Sequence, residues 1–506
     1  MNTKDQLEQY LASERVVEID WSGLNLETVP VELKDVKGVE RLNLERNNLA
    51  LLPEELKELS QLNWLDLSDN QFKQVPDVVA SFKGLKWLDL SANGMENLLE
   101  AFGNLAQLEW LDLKDNSLGD LPSSFGALTR MKKLNLEVNN LKALPEEICL
   151  LTNLEWLDLS DNQFESLPEN FSNLQKLEWL DLEENPFKVL PAAVCQLVNL
   201  RELDLTGIEV EHLPENLGNL VKLEWLDLSE NKLVAVPDSI GNLVELEWLD
   251  LRSNALSSLP ASMAQLKKVT RLNLEHNPFG GWVPVVSTMT SLQELDLTAT
   301  DLTTLPDDIA NLVEMEWLDL SENKLTSLPK ALGSLSKLNW LDCRENKLTT
   351  IDNAVYNLFE LRELYLGNNQ LASIDTEIRQ LESLERLDLS FNQLSTLPDG
   401  LGDLPMLEWL NIEENQLGSL PDFIGQLNHL QDLDVSDNRL DSLPDTIGQL
   451  GHLRFLDLRN NNFSVAPDCL AKLKGSLQEL YIGDNPLPAT EIEKIKAWLP
   501  NTLIEL

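Results

Sequence analysis

A chain of 506 residues would ordinarily divide into about three or four globular domains, and its 85 acidic residues against 39 basic ones leave a formal charge of −46. Such a charge repels nucleic-acid phosphate and anionic lipid, so nucleic acid and membrane surfaces are excluded as expected partners and basic proteins are favoured; acidity kept for solubility alone is the alternative. The cysteines Cys149, Cys195, Cys343 and Cys469 are scattered, with no terminal clusters to staple a secreted protein, which fits a reducing compartment.

The first residues, "MNTKDQLEQYLASERVVEID", have no basic segment leading into an apolar one, and no apolar stretch approaches a membrane-spanning length. A soluble, cytoplasmic chain is the expectation. Within residues 1–15, Thr3 and Gln6 form a capping-box pattern before Leu7, Tyr10 and Leu11, which predicts an amphipathic helical cap. From Val16 a 23-residue period takes over, with units beginning at Val16, Val39, Leu62, Leu85 and onward to Leu453, and a last one at Leu477 after a one-residue insertion near "KLKGS". Twenty-one units therefore fill residues 16–488. The length prior gives way to one elongated repeat domain, an α/β solenoid in which each unit touches only its neighbours.

Each unit reads L-x-x-L-x-L-x-x-N-x-L-x-x-L-P-x-x-I-x-x-L-x-x. Alternation at positions 4 and 6, as in Leu157 and Leu159, places leucines on one side of a short strand and turns positions 3, 5 and 7 outward. Such strands are expected to stack in parallel on a concave face. Asparagine at position 9, as in Asn70, Asn162 and Asn231, can satisfy backbone groups of the turn that leaves the strand. Proline at position 15, as in Pro168 and Pro237, stops the strand and starts a short helical or 3-10 turn on the convex face. There Ile240 and Leu243 pack back onto the leucines. Residues 489–506 are expected to close the stack as a second helical cap, with Thr490 and Glu493 as a capping box and Ile492, Ile495, Trp498 and Leu499 as its apolar side.

The 23-residue consensus, with its "LP" and the following "I-x-x-L", resembles the intracellular class of leucine-rich repeats found in Ras-pathway scaffolds, LAP proteins, plant Ras-group-related proteins and many bacterial repeat proteins. The resemblance covers almost the whole chain. It implies scaffolding by protein binding, with a role in signal transduction, and nothing resembles the catalytic or PDZ domains that some relatives append.

Two columns exceed what a leucine core needs. Position 3 carries Trp64, Trp87, Trp110, Trp156, Trp179, Trp225, Trp248, Trp317, Trp340 and Trp409, so ten of the thirteen tryptophans are expected on the concave face. Position 5 carries aspartate in most units, among them Asp66, Asp89, Asp112, Asp158, Asp181, Asp227, Asp250, Asp319 and Asp342. Exposed indoles beside unpaired carboxylates suit a Lys- or Arg-rich partner through ion pairing and cation–π contact. Two other readings compete: rings stacking on one another to stiffen the sheet, and block duplication. Residues 200–231 and 292–323 are near copies, both with the asparagine replaced, by Ile208 and Thr300. Charged residues such as Lys133, Glu202 and Arg271 interrupt the tryptophans. In "EHNPFGGWVPVVSTMT" (275–290) Trp282 takes the place of a leucine, which predicts either local repacking or a protruding contact loop.

Chemistry is hard to place in this pattern. His212, His276, His429 and His452 have no oriented partner, although His429 and His452 fall at the same position of adjacent units. Cys343 substitutes for a core leucine and is expected to be inert. A line of carboxylates on a stiff sheet does not converge as calcium requires. The expectation is a monomeric, non-catalytic protein without cofactor or metal, whose concave tryptophan and aspartate face, centred on Trp156 to Trp248, binds a basic protein. Carbohydrate recognition by stacking sugars on the exposed indoles is the alternative.

Overall fold

Every 23-residue unit forms one coil: a three-residue strand, a turn, an extended return and a short helical turn. The computed structural model describes residues 3–506, with side chains from Gln6 onward. The chain divides into two compact units, Met1–Ala255 and Leu256–Leu506. In the first, the strands Glu18–Asp20 to Trp248–Asp250 pair in chain order, all parallel. In the second, the strands Arg271–Asn273 to Leu503–Glu505 do the same. Each unit is an open solenoid of leucine-rich coils, with identical positions in register from strand to strand.

The period fixes each element. Leucines at positions 4 and 6, such as Leu157 and Leu159, are fully buried, as are Ile240 and Leu243 on the opposite wall. Between the proline at position 15 and the apolar residue at position 21 only five residues remain. That is too few for a stable α-helix, so the segment closes as a 3-10 turn. Pro237 precedes the turn Asp238–Asn242, and its carbonyl accepts from the Ile240 amide at 3.1 Å. Neighbouring turns pack closely enough that a Cβ on Gly333 would lie 1.9 Å from the Ala354 carbonyl oxygen. The insertion before Leu477 is absorbed by a six-residue turn, Asp468–Leu473. Helical turns on this side are thus 3-10 throughout, and α-helix is confined to the two ends.

Asparagine at position 9 does what its position demands. Asn162 donates from Nδ2 to the carbonyls of Leu136 (2.8 Å), Leu159 (3.2 Å) and Ser160 (3.0 Å), and its Oδ1 accepts from the Leu141 amide at 3.0 Å. The side chain binds its own turn and the preceding coil at once, so the asparagines form a buried ladder. The residue before each asparagine turns left-handed, as in Asp161 with φ 50° and Glu230 with φ 55°.

The ends differ from the expectation in detail. The helix Thr3–Ala12 buries Leu7 and brings the Tyr10 ring 6.4 Å from the fully buried Trp21, but Leu11 points away and is 42% exposed. The Thr3 side chain, and with it the first capping box, lies outside the described residues. At the other end the helix is Ala489–Trp498, capped by Pro488 without a side-chain hydrogen bond. Thr490 therefore sits inside the helix rather than at its cap, and Glu493 pairs with Lys496 at 3.3 Å instead of closing a box. Ile495 and Leu499 are buried, while Ile492 and Trp498 are half-buried. The end is not wholly helical: Leu503–Glu505 forms a further strand on Glu479–Tyr481.

Candidate binding face: the tryptophan and carboxylate columns

Register brings the position 3 tryptophans side by side, and each is half-buried. Trp64, Trp87 and Trp110 form a triple stack with ring centroids 4.3 Å apart. Trp156–Trp179 (4.4 Å), Trp225–Trp248 (4.5 Å) and Trp317–Trp340 (4.4 Å) form pairs, all within 12° of parallel. Trp409 has no tryptophan beside it; its ring lies 6.5 Å from Tyr365 at 52°. The indoles therefore cover one another's inner faces, so that only the outer edges and the end faces of each stack are left for other groups. One end face of the triple stack is taken by Arg41, whose guanidinium lies 4.9 Å from the Trp64 ring.

The position 5 column requires a correction, because its carboxylates are not free. Oδ1 of Asp66, Asp89, Asp112, Asp158, Asp181, Asp227, Asp250, Asp319 and Asp342 accepts from the amide two residues on, at 2.8–3.0 Å. The strand ends at this residue, so the next amides have no ladder partner and the side chain turns back to satisfy one of them. Asn43, Asn135, Asn273 and Asn411 make the same bond at 2.9–3.0 Å. Position 5 thus supplies an acceptor in most units, with Tyr365 and Tyr481 as exceptions. The charge is additional.

Where that charge accumulates is uneven. Asp342 is neutralised by Arg344 at 2.5 Å and Asp457 by Arg459 at 2.5 Å. Asp181, Glu183 and Asp204 have no such partner, and an oxygen of each lies within 4.8 Å of the other two. Burial, then the neighbouring charges of Asp204 and Asp158, push Asp181 up to about 8. Burial and then Asp204 raise Glu183 to about 7, and burial raises Asp204 to about 6 despite its bonds to Thr206. At neutral pH these groups resist ionising together, and a nearby cation would relieve them. The sequence pattern alone did not point to Glu183, and it showed Glu202 only as an interruption of the tryptophans. The available signal was glutamate at position 7, where serine or threonine elsewhere gives the aspartate a hydroxyl donor, as Ser160 does for Asp158 at 2.6 Å.

The remaining candidates are structural. Trp282 is half-buried and donates from Nε1 to the buried Ser287 hydroxyl at 3.0 Å, so its segment is a local repacking in which Val283 fills the core. His429 and His452 stack with centroids 6.2 Å apart. All four cysteines are free and buried, and burial pushes the Cys149, Cys195 and Cys469 thiols up to about 11. Among the described residues, no helix is long and apolar enough to cross a membrane.

The sequence matches the family described as leucine-rich repeat region over residues 199–304 and 399–495, and that described as leucine rich repeat over 290–348 and 359–417. A leucine-rich repeat protein of Leptospira interrogans is similar at 28% identity, covering 100% of this chain and 98% of that one, with a TM-score of 0.53. The leucine-rich repeat ectodomain of the Arabidopsis thaliana membrane receptor kinase GASSHO1/SCHENGEN3, solved with CASPARIAN STRIP INTEGRITY FACTOR 2, is 30% identical over 97% of this chain and 68% of that one, with a TM-score of 0.52. The Arabidopsis receptor kinase HAESA, solved with the peptide hormone IDA and the co-receptor SERK1, is 27% identical over 98% and 92%, with a TM-score of 0.62. No curated protein matches the sequence.

Proposed function

The chain belongs to the leucine-rich repeat family, and from that premise we propose that it is a non-catalytic scaffold whose open sheet face binds a basic segment of another protein. The observation that carries this reading is the uncompensated cluster of Asp181, Glu183 and Asp204 beside the half-exposed pairs Trp156–Trp179 and Trp225–Trp248. A lysine or arginine arriving there gains ion pairing and ring contact, and it relieves repulsion that the free protein bears. HAESA, solved with a peptide hormone, gives the same direction by analogy. The free, buried thiols fit the cytoplasm or another reducing compartment.

Carbohydrate recognition loses ground, because each stacked pair covers one face of both its rings and leaves a sugar only the end faces of the stack. The deciding experiment titrates the protein with an octalysine peptide at rising salt. Binding should weaken steeply with ionic strength and fall at least thirtyfold when Trp156, Trp179, Trp225 and Trp248 are all changed to alanine. Binding that ignores salt, or that survives the four substitutions in a folded protein, would refute this reading.

A further inference from the structure

Trp179 and Trp225 lie on either side of Glu202, each one strand away in register. The outer face of Trp179 is covered by Trp156 and that of Trp225 by Trp248, so the two uncovered faces look toward one another across Glu202. Two strand spacings of about 4.8 Å set these rings about 9.6 Å apart. Glu202 is exposed, and its carboxylate has no hydrogen bond or ion pair among the described residues. The basic residue beside it, Arg201, is held in an ion pair with Glu224. The result is a slot with two aromatic walls, an acidic floor and no cation of the chain's own.

We propose that this slot binds a trimethylated lysine side chain of a partner protein, with Glu202 as its counter-ion. The inference rests on the reading that this face takes a basic partner, and it names the group the face would hold. Its dimensions select among cations. A nitrogen centred in the slot lies about 4.8 Å from each ring, inside the cation–π range and close to the 4.9 Å at which Arg41 already sits over Trp64. Subtracting carbon contact distances of about 3.7 Å on each side leaves about 2 Å, the spread of methyl carbons on one nitrogen. A planar guanidinium centred at that distance, as Arg41 is over Trp64, is in range of both rings, but its flat plane packs against neither as closely as a cluster of methyl groups does. A bare ammonium would have to shed tightly held water to touch either ring. The slot is open on its outer side, so a free quaternary amine would gain only the two ring contacts, whereas a side chain arrives with a backbone that engages the neighbouring carboxylates. Asp181, Glu183 and Asp204, raised in pKa by burial and by neighbouring carboxylates, add to the attraction for a fixed positive charge.

Two short peptides identical except for one lysine, unmodified in one and trimethylated in the other, provide the test, with indole fluorescence and calorimetry as readouts. The trimethylated peptide should bind at least tenfold more tightly than the unmodified one, and at least tenfold more tightly than choline. Trp179→Ala or Trp225→Ala should each erase the tenfold preference. Glu202→Gln, which leaves both rings in place and is exposed enough to spare folding, should weaken the trimethylated peptide several-fold, while Trp340→Ala in the second unit should change nothing. Equal binding of the two peptides, or a preference that survives Trp179→Ala, overturns the slot. Choline binding as tightly as the peptide overturns the assignment to a protein side chain. The broader reading is separable: octalysine bound in a salt-sensitive manner with no methyl preference keeps the basic-partner face and removes the slot. A methyl-selective peptide with no octalysine binding does the reverse.

Discussion

Within the first unit, a charged residue twice separates tryptophan stacks, and the two places share a backbone while differing in charge. Lys133 lies between Trp110 and Trp156, and Glu202 lies between Trp179 and Trp225, each one strand from both neighbours. Around Lys133 the acid is diluted: Asn135 replaces aspartate at position 5 and donates to Asp112 at 3.1 Å, and Lys114 pairs with Glu137 at 2.7 Å. Around Glu202 the aspartates run on through Asp181, Asp204 and Asp227, with Glu183 beside them. The chain sets a cation of its own, Lys133, at the first gap and an anion, Glu202, at the second. A repeat dictates geometry, so any functional distinction has to be found in the side chains that depart from it.

The largest effect should come from breaking what both gaps share. Asn162→Ala removes the donor to three carbonyls and the acceptor for Leu141, leaving buried backbone groups without partners in the coil that carries Trp156. Such a loss should cost about 3 kcal/mol or more in urea denaturation, and ligand binding at both gaps should suffer together. A cost under about 1 kcal/mol would mean that water replaces the asparagine and that the ladder does not frame the sheet.

A smaller change should convert one gap into the other. Lys133→Glu combined with Asn135→Asp restores the acidic floor and the unbroken carboxylate column between Trp110 and Trp156 while keeping the position 5 acceptor. The variant should acquire affinity for the trimethylated peptide, of about 1.4 kcal/mol or tenfold over the wild type at that gap. It should be read in a Trp179→Ala background, where the natural slot is silent. No gain would show that ring spacing alone does not define the site.

Much of this is legible in the amino-acid sequence. The period dictates every strand inside it, the buried leucines and the role of asparagine, because each depends only on what repeats. Less legible is the meaning of position 5, where aspartate reads as charge and acts first as a hydrogen-bond acceptor; Asn135 standing in for it is the clue. The two units without the asparagine stand out in the sequence, but how the fold tolerates them does not. Each follows a coil reading Asn-Pro-Phe, Asn185–Phe187 before Ile208 and Asn277–Phe279 before Thr300. Proline has no amide to leave unpaired, and the phenylalanine amide turns to its own asparagine carbonyl, at 2.9 Å in both. Asn485-Pro486-Leu487 does the same at 2.7 Å, where the strand that follows, Leu503–Glu505, brings no position 9 asparagine. The final strand Leu503–Glu505 left no signal, since it lies beyond the last full period.

Titration sharpens the comparison further. In the unfolded chain Asp181 ionises near 3.8, whereas folding raises it to about 8. A raised carboxylate contributes stability that is complete below the unfolded value and is lost as pH rises through the folded one, so the Glu202 side of the sheet should weaken between about pH 4 and pH 8. Asp181→Asn keeps the bond to the Glu183 amide and removes the charge. It should leave stability at pH 4 unchanged and add about 1–2 kcal/mol at pH 8.5. Superimposable pH profiles for this variant and the wild type would mean that the cluster carries no repulsion for a cation to relieve.

The smallest expected effect decides how the tryptophans divide their work. Trp225 and Trp248 are stacked at 4.5 Å with planes 2° apart, and both are half-buried, so truncating either should cost more stability than an ordinary surface substitution. A double-mutant cycle with Trp225→Ala and Trp248→Ala isolates the contact between them from the contacts each makes with the sheet, and a coupling of about 1 kcal/mol is expected for an offset-stacked pair. The same cycle run on peptide affinity should give a different pattern. Trp225→Ala should lose the methyl preference because that ring forms a wall of the slot. Trp248→Ala should weaken binding only modestly, because that ring supports its neighbour from behind. If the two substitutions cost affinity equally, the stack acts as one undivided surface and the open end face has no special role; if neither does while stability falls, the indoles are struts of the sheet and the ligand lies elsewhere.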